Sequence, residues 1–338
     1  MPSLRARLTN AFLRITTKSM WKPGLDIQKI RVHSAKMDAR IARKPLPIAT
    51  EPAVVAGVKA TWYGDRSLEA NGTILYLHGG AWCLHLPAIF SRHAARLSQL
   101  TGMRILLPDY RLAPEHPFPA GVDDCFTAYR WLVDHGYAQR PLAVAGDSAG
   151  GSLTLTTLMQ ARDAGLPMPN CAVMLSPSTD LLPSAPSWTY NSDADPMFGP
   201  GAVDLLPKIY CPGMDRTNPL LSPLFGNWHG LPPLLFHAGS TEMILDDSVR
   251  AHDRARQAGV AAEIEVWIEM PHVFQVFSWL PESKLAMRRI ADFIVANARR
   301  SAADVGANVG GRLVEGAVRI AEQAPVQLEV VPPVRIDA

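Results

Sequence analysis

The chain has 338 residues, of which 48% are hydrophobic and 19% are charged, a composition that suits a globular protein with a large core. The four cysteines are scattered without a C-x-x-C pair, so neither a zinc site nor a disulfide framework is indicated, and we expect a reducing, cytoplasmic compartment. No stretch approaches the roughly 18 apolar residues of a membrane span. Residues 1–24 also lack the apolar run of a secretory signal.

The net charge of +2 is unevenly distributed along the chain. Residues 1–44 hold 11 Lys and Arg against 2 Asp and Glu, whereas the remainder is acidic. Within this basic segment, four apolar residues recur at helical spacing: Leu4, Leu8, Phe12 and Ile15. We favour a helix that covers the mouth of the protein's own functional site, and contact with an anionic membrane surface is the alternative. Nucleic-acid binding is not indicated, because no recognition motif accompanies the charge.

After residue 48, strand patterns alternate with helical patterns. Strands are predicted at 54–63, 73–78, 104–108, 142–146, 171–176, 233–238 and 262–268, and helices at 91–101, 121–135, after residue 148, at 246–259 and at 284–300. Strands that alternate with helices of 10–15 residues are typical of a mostly parallel sheet with helices on both faces. We therefore expect an α/β fold.

Two segments depart from this alternation. Residues 181–230 are rich in Pro, Ser, Asn and Asp, with one short helical pattern at 201–210, and a loop of this length in a compact domain usually carries function. We predict that it joins residues 1–48 in a helical cap on the main α/β domain (49–300). The tail at 301–338 looks appended and partly disordered, and no function is predicted for it.

The segment 142–162 reads LAVAGDSAGGSLTLTTLMQAR. A serine between glycines at the end of a buried strand either caps the following helix on a tight turn or is the nucleophile of a G-x-S-x-G elbow. The apolar strand pattern at 142–145 and the helical run at 152–162 provide the strand–turn–helix order that an elbow requires. We therefore favour Ser148 as a nucleophile.

A serine nucleophile needs N–H donors for the oxyanion that forms during attack. The sequence His78-Gly79-Gly80 directly follows the predicted strand 73–77, and its glycines leave backbone amides free to face a substrate. A plain glycine turn is the alternative. We predict that the amides of Gly79, Gly80 and Ala149, the residue after the serine, form the oxyanion hole.

The base and the acid are expected later in the chain, in the order serine, acid, histidine. His272 lies between the last predicted strand and the last predicted helix, where this order places the base. The structural alternatives are His237 in a strand, His252 in a helix and His229 in the predicted cap. We predict that His272 is the base.

Three carboxylates at 239–247 compete for the role of the acid. Glu242 lies just past the predicted strand end, whereas Asp246 falls in the first turn of the next helix, where favourable interaction with the helix dipole is a sufficient explanation. We favour Glu242, and the choice between Glu242 and Asp246 stays open.

Together these motifs resemble the hormone-sensitive-lipase-like family of α/β-hydrolase esterases, the bacterial carboxylesterases with HGG and GDSAG motifs. The resemblance runs from about residue 73 to 300 and includes DYRLAPE at 109–115. The family's D-P-L-x-D pattern reads EMILD here, so that Glu242 stands where the family has aspartate. Ala81 stands where the family often has a third glycine.

The resemblance implies an α/β-hydrolase fold with a helical cap, hydrolysis of short- to medium-chain acyl esters, and no metal or organic cofactor. The proline-containing segment at 109–115 is expected to support the oxyanion loop, with Arg111 and Glu115 in internal hydrogen bonds, and direct contact with the substrate is the alternative. Four aromatic residues are candidates either for lining the substrate pocket or for ordinary packing: Trp82, Trp188, Phe198 and Trp228.

Several alternatives stay open at this stage. The same triad can hydrolyse lactones, aryl amides or membrane lipids, and specificity resides in cap side chains that the sequence does not place. A non-catalytic ligand-binding protein on this scaffold is the alternative outside enzymes, although relatives of that kind lack the histidine that His272 provides here. A small-molecule ester is the expected partner, and self-association into a homodimer is left open.

Overall fold

The computed structural model describes residues 1–21, 26–199 and 201–299. The predicted tail at 301–338 lies outside the described residues. None of the described helices is both long enough and apolar enough to cross a lipid bilayer.

An eight-stranded sheet forms the centre of the protein. Its strands are β1 (Thr50–Val55), β2 (Val58–Tyr63), β3 (Thr73–Leu77), β4 (Arg104–Pro108), β5 (Leu142–Asp147), β6 (Cys171–Leu175), β7 (Leu234–Gly239) and β8 (Ala262–Trp267). Their spatial order is β1-β2-β4-β3-β5-β6-β7-β8. The pairs β1–β2 and β2–β4 are antiparallel, and all other neighbours are parallel. The prediction of a mostly parallel sheet is confirmed.

One predicted strand is wrong in detail. The pattern at 54–63 predicts one continuous strand, whereas the structure has a hairpin in which β1 and β2 pair on either side of Ala56 and Gly57. Both turn residues have positive φ angles, 48° and 89°. Two-residue hairpin turns of this kind match the natural twist of the flanking strands. The apolar pattern continues through the turn, so periodicity alone does not detect it.

Nine helices are described. They are α1 (Leu4–Thr16), α2 (Ile27–Ala42), α3 (Pro87–Thr101), α4 (Ala120–Asp134), α5 (Ala149–Asp163), α6 (Ser187–Tyr190), α7 (Gly201–Tyr210), α8 (Leu245–Gln257) and α9 (Pro281–Ala298). Helices α3 and α9 pack on one face of the sheet, and α4, α5 and α8 pack on the other. The helices predicted between the strands are therefore confirmed.

The strand β3 shows how both faces of the sheet are filled. Ile74 and Tyr76 belong to the core under α3 and α9, whereas Leu75 and Leu77 belong to the core under α4 and α5. Successive side chains of a strand point to opposite faces. Because both faces are covered, this strand is a continuous apolar run that is buried throughout.

The N-terminal helix α1 is present where the sequence predicts a helix, but its orientation is unexpected. It packs on the body through Ala6, Thr9 and Leu13. The four apolar residues of the predicted stripe point away from the body: Leu4 is 71% exposed, Leu8 62%, Phe12 55% and Ile15 76%. The apolar stripe is thus not the surface by which this helix covers the protein.

The order of the strands places a topological switch point between β3 and β5. From β3 the chain continues to β4 on one side, whereas from β5 it continues to β6 on the other side. In open α/β sheets, ligands bind at the carboxyl ends of the strands at such a switch point. The segment at 78–80 follows β3, and Ser148 follows β5.

Candidate active site

The turn from β5 to α5 presents Ser148 in a strained conformation, with φ 53° and ψ −120°. The turn is tight enough to require the flanking glycines. A Cβ atom on Gly146 would lie 2.3 Å from the carbonyl oxygen of Gly150, and one on Gly150 would lie 1.9 Å from the carbonyl oxygen of Leu77. A non-glycine residue with positive φ at such a turn costs free energy, and strain of this kind is concentrated at functional sites.

The structure brings together the three side chains that the sequence analysis selects. The Oγ atom of Ser148 lies 2.8 Å from Nε2 of His272, and Nδ1 of His272 lies 2.9 Å from Oε2 of Glu242. Glu242 and His272 are buried, and Ser148 is half-buried. A serine, a histidine and a carboxylate in this order form the hydrogen-bonded chain that acyl-transfer hydrolases use.

The amides of the predicted oxyanion hole fall into two groups. Gly80 has φ 107°, a conformation that favours glycine, and within the described part of the chain neither its amide nor that of Ala149 has a protein acceptor. The amide of Gly79 instead donates a hydrogen bond to Oδ1 of Asp147 at 3.1 Å. Two of the three predicted donors are therefore free to face a substrate oxygen, and the third is occupied.

Comparison with known proteins agrees with this geometry. A family model described as the α/β hydrolase fold matches residues 74–276, which is more than half of the chain. The crystal structure of an esterase from the bacterial hormone-sensitive lipase family superposes with a TM-score of 0.81 at 36% sequence identity, over 88% of this chain and 99% of that chain. The chain belongs to the hormone-sensitive-lipase-like α/β-hydrolases.

Two sequence relatives fit the same family. An acetyl-hydrolase of Streptomyces hygroscopicus is 36% identical over 226 residues, which are 66% of this chain and 75% of that protein. An esterase of Acinetobacter venetianus is 33% identical over 253 residues, 73% of this chain and 82% of that protein.

The geometry of this α/β-hydrolase distinguishes the three competing carboxylates. Glu242 lies beside His272, and its Oε1 accepts hydrogen bonds from the Ser176 hydroxyl at 2.7 Å and from the Gly239 amide. Asp246 instead accepts hydrogen bonds from the Ser187 amide and the Tyr190 hydroxyl. It therefore fixes α6 in the insert and does not contact the imidazole.

The third carboxylate, Asp247, is fully buried away from the histidine. Its Oδ2 accepts the amides of Thr179 at 2.7 Å and Asp180 at 3.0 Å. Burial raises the pKa of Asp247 to about 8, although these two hydrogen bonds favour the charged form. The neighbouring charge of Asp180 raises this pKa further.

Asp147, the residue before Ser148, holds the loop that follows β3 and is not among the predicted site residues. Its Oδ1 accepts the Tyr76 hydroxyl at 2.7 Å as well as the amide of Gly79. Burial raises the pKa of Asp147 to about 6, while both hydrogen bonds lower it. The only sequence signal for this contact is the acidic residue inside the GDSAG motif.

Four aromatic residues were candidates for the pocket, and one of them contacts the histidine. The rings of Phe198 and His272 meet edge-on with their centroids 4.9 Å apart, and the ring centroids of Trp21 and Phe198 are 5.5 Å apart. Trp82 instead stacks on Tyr210 at 4.5 Å. Trp228 is buried in the main core.

The three histidines considered as alternatives to His272 occupy the positions expected from the sequence. His237 lies in β7 with no exposed surface, and burial lowers its pKa to about 3. His252 lies in α8 beside Asp253, and His229 is exposed in the insert. Within the described residues, no cluster of His, Cys, Asp and Glu is arranged to hold a metal ion.

The segment at 109–115 makes the predicted internal contacts through Arg111 and Glu115. Arg111 pairs with Asp124 at 2.8 Å. Glu115 pairs with Arg31 on α2 at 2.6 Å, and Arg31 also donates to the carbonyl oxygens of Cys83 and Ala113. Arg31 thereby joins α2 to the chain around Cys83 and Ala113, a contact that the sequence pattern does not indicate.

Proposed function

We propose that this protein is a serine carboxylesterase that hydrolyses short- to medium-chain acyl esters through an acyl-enzyme on Ser148. The observation that carries the proposal is the continuous chain of hydrogen bonds from Ser148 through His272 to the buried Glu242. Membership of the hormone-sensitive-lipase-like family supports the same class of reaction.

In the first half of the reaction, Oγ of Ser148 attacks the ester carbonyl carbon while Nε2 of His272 accepts the hydroxyl proton. Glu242 accepts a hydrogen bond from Nδ1, which holds the imidazole in the required tautomer and stabilises the imidazolium that forms. The tetrahedral intermediate then collapses, the alkoxy group leaves with the proton from His272, and the acyl group stays on Ser148.

In the second half, His272 takes a proton from a water molecule as the water oxygen attacks the acyl carbon. The second tetrahedral intermediate releases the carboxylic acid, and the proton returns from His272 to Oγ of Ser148. Every proton in this cycle moves through Nε2, and the chain's own side chains account for all of the transfers.

The oxyanion of each intermediate is proposed to bind the amides of Gly80 and Ala149. Both amides are free of protein acceptors among the described residues. The amide of Gly79 can serve as a third donor only by leaving Oδ1 of Asp147. Removal of one such donor from an oxyanion hole costs about 2.7–4 kcal/mol of transition-state stabilisation.

The preference for short to medium acyl chains rests on the enclosure of the site. His272 is 4% exposed, and Phe198 and Trp21 are packed in sequence beside it. These rings crowd the side of His272, and the family resemblance also implies short to medium acyl chains, so that long acyl chains are expected to fit poorly. A small-molecule ester is the corresponding substrate class.

The test is hydrolysis of p-nitrophenyl esters from acetate to palmitate by the wild type and by a Ser148→Ala variant. We expect the wild type to cleave the short chains and the variant to lose that activity. Ser178→Ala is the matched control. Ser178 lies next to Ser148, because its backbone amide bonds to the Ser148 carbonyl at 3.2 Å, and the substitution leaves this backbone bond in place. Equal activity of wild type and Ser148→Ala would exclude Ser148 as the nucleophile.

A second candidate function is hydrolysis of esters at an anionic membrane surface, and α1 favours it. The four apolar side chains on its outer face are exposed, at Leu4, Leu8, Phe12 and Ile15. At 3.6 residues per turn, the exposed Arg5 and Arg7 lie on either side of this stripe. No acidic residue precedes Asp26. An apolar stripe between cations is typical of a helix that lies in a membrane interface.

The apolar stripe of α1 could contact either a lipid surface or a second copy of the chain. Two features favour the lipid surface. A symmetric contact between two copies of α1 would bring cations of the same segment together, whereas anionic lipids neutralise them. The helix is also held from its inner side, because the Trp279 indole donates to the Thr9 hydroxyl and the Asn10 amide donates to the Glu269 carbonyl. A fixed helix therefore presents its apolar face outward.

Sedimentation with vesicles tests membrane contact. We expect the wild type to bind vesicles that contain phosphatidylglycerol at low salt, and a Leu8→Gln, Phe12→Gln variant to lose binding by about tenfold or more. Val54→Gln, at a residue 65% exposed on β1, is the control for loss of an apolar side chain. Absence of binding together with a halved mass of the variant in light scattering would instead show that the stripe joins two copies.

Cytoplasmic location is part of the proposal and rests on the cysteines. All four of them, Cys83, Cys125, Cys171 and Cys211, are free and buried. Reduced thiols persist in reducing compartments. Fractionation of cells that produce the protein tests this point.

A further inference from the structure

The loop that carries Glu242 is held by a segment of the insert. This clamp segment (187–198) runs against the acid loop (239–246). The side-chain amide of Asn191 donates to the carbonyl oxygens of Ser240 at 3.0 Å and Glu242 at 2.8 Å. The backbone on which the catalytic acid is mounted is therefore fixed by residues more than 40 positions earlier in the chain.

Asp195 lies at the centre of the clamp segment and has no exposed surface. Its Oδ2 accepts the amide of Met243, the residue after Glu242, at 2.8 Å. Its Oδ1 accepts the amides of Met197 at 2.7 Å and Phe198 at 3.0 Å. One carboxylate thus ties the acid loop to the turn that carries Phe198.

This arrangement matters because the acid loop and the clamp segment, which Asp195 joins, both contact His272. The acid loop reaches His272 through the carboxylate of Glu242, and the clamp segment reaches it through the ring of Phe198. Burial raises the pKa of Asp195, and the three amide hydrogen bonds together with the nearby His272 oppose that increase. Burial of a carboxylate costs folding free energy unless hydrogen bonds compensate for the lost water.

The clamp segment is also held from its outer side by α1 and the residues that follow it. Arg14 donates to the carbonyl oxygens of Asp193 at 2.6 Å and Ala194 at 2.7 Å. Lys18 donates to the carbonyl oxygens of Ser192 at 2.6 Å and Asp193 at 3.1 Å. Part of the positive charge of the N-terminal segment is therefore used to fix the backbone next to Asp195.

We infer that Asp195 is a positioning residue for acyl transfer: its carboxylate sets the place of Glu242 and of Phe198 relative to His272, and so joins the cap to the catalytic acid. This inference rests on the proposed roles of Ser148, His272 and Glu242. It assigns a functional contribution to an insert residue that touches neither the nucleophile nor the histidine.

Asparagine is the informative replacement at this position. Its side chain has nearly the same shape, but one carboxylate oxygen becomes an amide group that donates hydrogen bonds and does not accept them. Asp195→Asn therefore retains the bonds of one oxygen at most, so that either the Met243 amide or the pair at Met197 and Phe198 loses its acceptor. A buried amide without a partner destabilises the local structure.

Hydrogen exchange measured by mass spectrometry is the first readout. We expect amides in the acid loop and at 197–199 to exchange about tenfold faster or more in Asp195→Asn than in the wild type. Asp215→Asn is the matched control. Asp215 is exposed in the same insert, and its Oδ1 also accepts a backbone amide, that of Thr217. It makes no hydrogen bond to the acid loop within the described residues. If Asp195→Asn does not fold, Asn191→Ala is the second variant. It removes the hydrogen bonds from the Asn191 side chain to the acid loop, and amide hydrogens of that loop are expected to exchange faster.

Kinetics with p-nitrophenyl butyrate is the second readout. We expect kcat of Asp195→Asn to fall about tenfold or more, because Glu242 is displaced relative to His272, whereas any change in KM reports a shift of Phe198. Exchange in the acid loop equal to that of the wild type, or an unchanged kcat, would overturn the inference.

The two readouts separate this inference from the proposed function. Ser148→Ala abolishes hydrolysis if the proposed function holds, yet it leaves exchange in the acid loop unchanged. A wild type that cleaves no ester would overturn the proposed function, and exchange in Asp195→Asn would still decide whether this carboxylate positions the acid loop.

Discussion

The hydroxyl of Ser176 donates a buried hydrogen bond to Oε1 of Glu242 at 2.7 Å, from the end of the neighbouring strand β6. The same hydroxyl oxygen accepts the amide of Val273, the residue after His272, at 3.1 Å. One small side chain therefore joins the loop of Glu242 to the loop of His272. With Asp195 on the other side, Glu242 is supported from both the sheet and the insert.

Ser176→Ala is expected to lower kcat by about tenfold with little change in KM. The substitution removes a hydrogen bond to a charged group and leaves the Val273 amide without its acceptor, a loss of roughly 1.5–3 kcal/mol. Part of that loss appears in the transition state, where the charge on Glu242 stabilises the imidazolium. Steady-state kinetics of Ser176→Ala beside Ser178→Ala provides the measurement, and equal kcat values in the two variants would contradict it.

Glu242→Gln and Asp246→Asn distinguish the two candidates for the acid. Glu242→Gln is expected to lower kcat by about 10³- to 10⁴-fold, because the amide does not hold the imidazole in the right tautomer. Asp246→Asn is expected to lower kcat less than tenfold, since Asp246 bonds to Ser187 and Tyr190. A greater loss of kcat in Asp246→Asn than in Glu242→Gln would show that the assignment is wrong.

Gly80→Ala is expected to lower kcat by about 100-fold or more. The φ angle of 107° is unfavourable for alanine, and the added Cβ would lie 2.6 Å from the carbonyl oxygen of Leu84, so the amide proposed for the oxyanion must move. Gly165→Ala controls for backbone strain, since Gly165 has φ 67° and open space around its Cβ position. A similar kcat in both variants would argue against Gly80 as a donor.

We expect the free energy of unfolding to decrease as pH rises from about 4 to about 8, because Asp247 ionises less readily in the folded protein. Its pKa in the folded protein, about 8, lies above the value of 3.8 for a free side chain, so the folded state binds a proton that the unfolded state has lost. Stability from this group is therefore complete below pH 4 and is lost as pH rises through 8. Burial is the main cause, and the charge of Asp180 adds to it.

Asp247→Asn is expected to reduce this dependence on pH. The asparagine oxygen can still accept the amides of Thr179 and Asp180, and no charge has to be buried. Calorimetry of the wild type and the variant at pH 6 and pH 9 is the measurement. We expect the variant to lose less of its melting temperature between the two pH values, and an equal or larger loss would contradict the interpretation.

The sequence by itself determined the parts of the protein that depend on local chemistry. Glycines at 146 and 150 mark a turn too tight for side chains, and the apolar periods before and after it predict β5 and α5. The alternation of such patterns was sufficient to predict the parallel sheet and its covering helices. Where a local signal was weak, as at the hairpin of Ala56 and Gly57, the prediction of one continuous strand was wrong.

Only the tertiary structure decided which polar groups meet. Ser148 and His272 are 124 positions apart, and their 2.8 Å contact depends on how the strand ends are placed side by side. The sequence offered three carboxylates after β7, and the approach of the His272 loop distinguishes Glu242 from the other two. No periodic pattern in the sequence predicts the contact of Asp147 with Gly79 or that of Asp195 with Met243. Hydrogen bonds are short-ranged and directional, so they are fixed only after the packing of apolar faces has set the separation of the loops that make them.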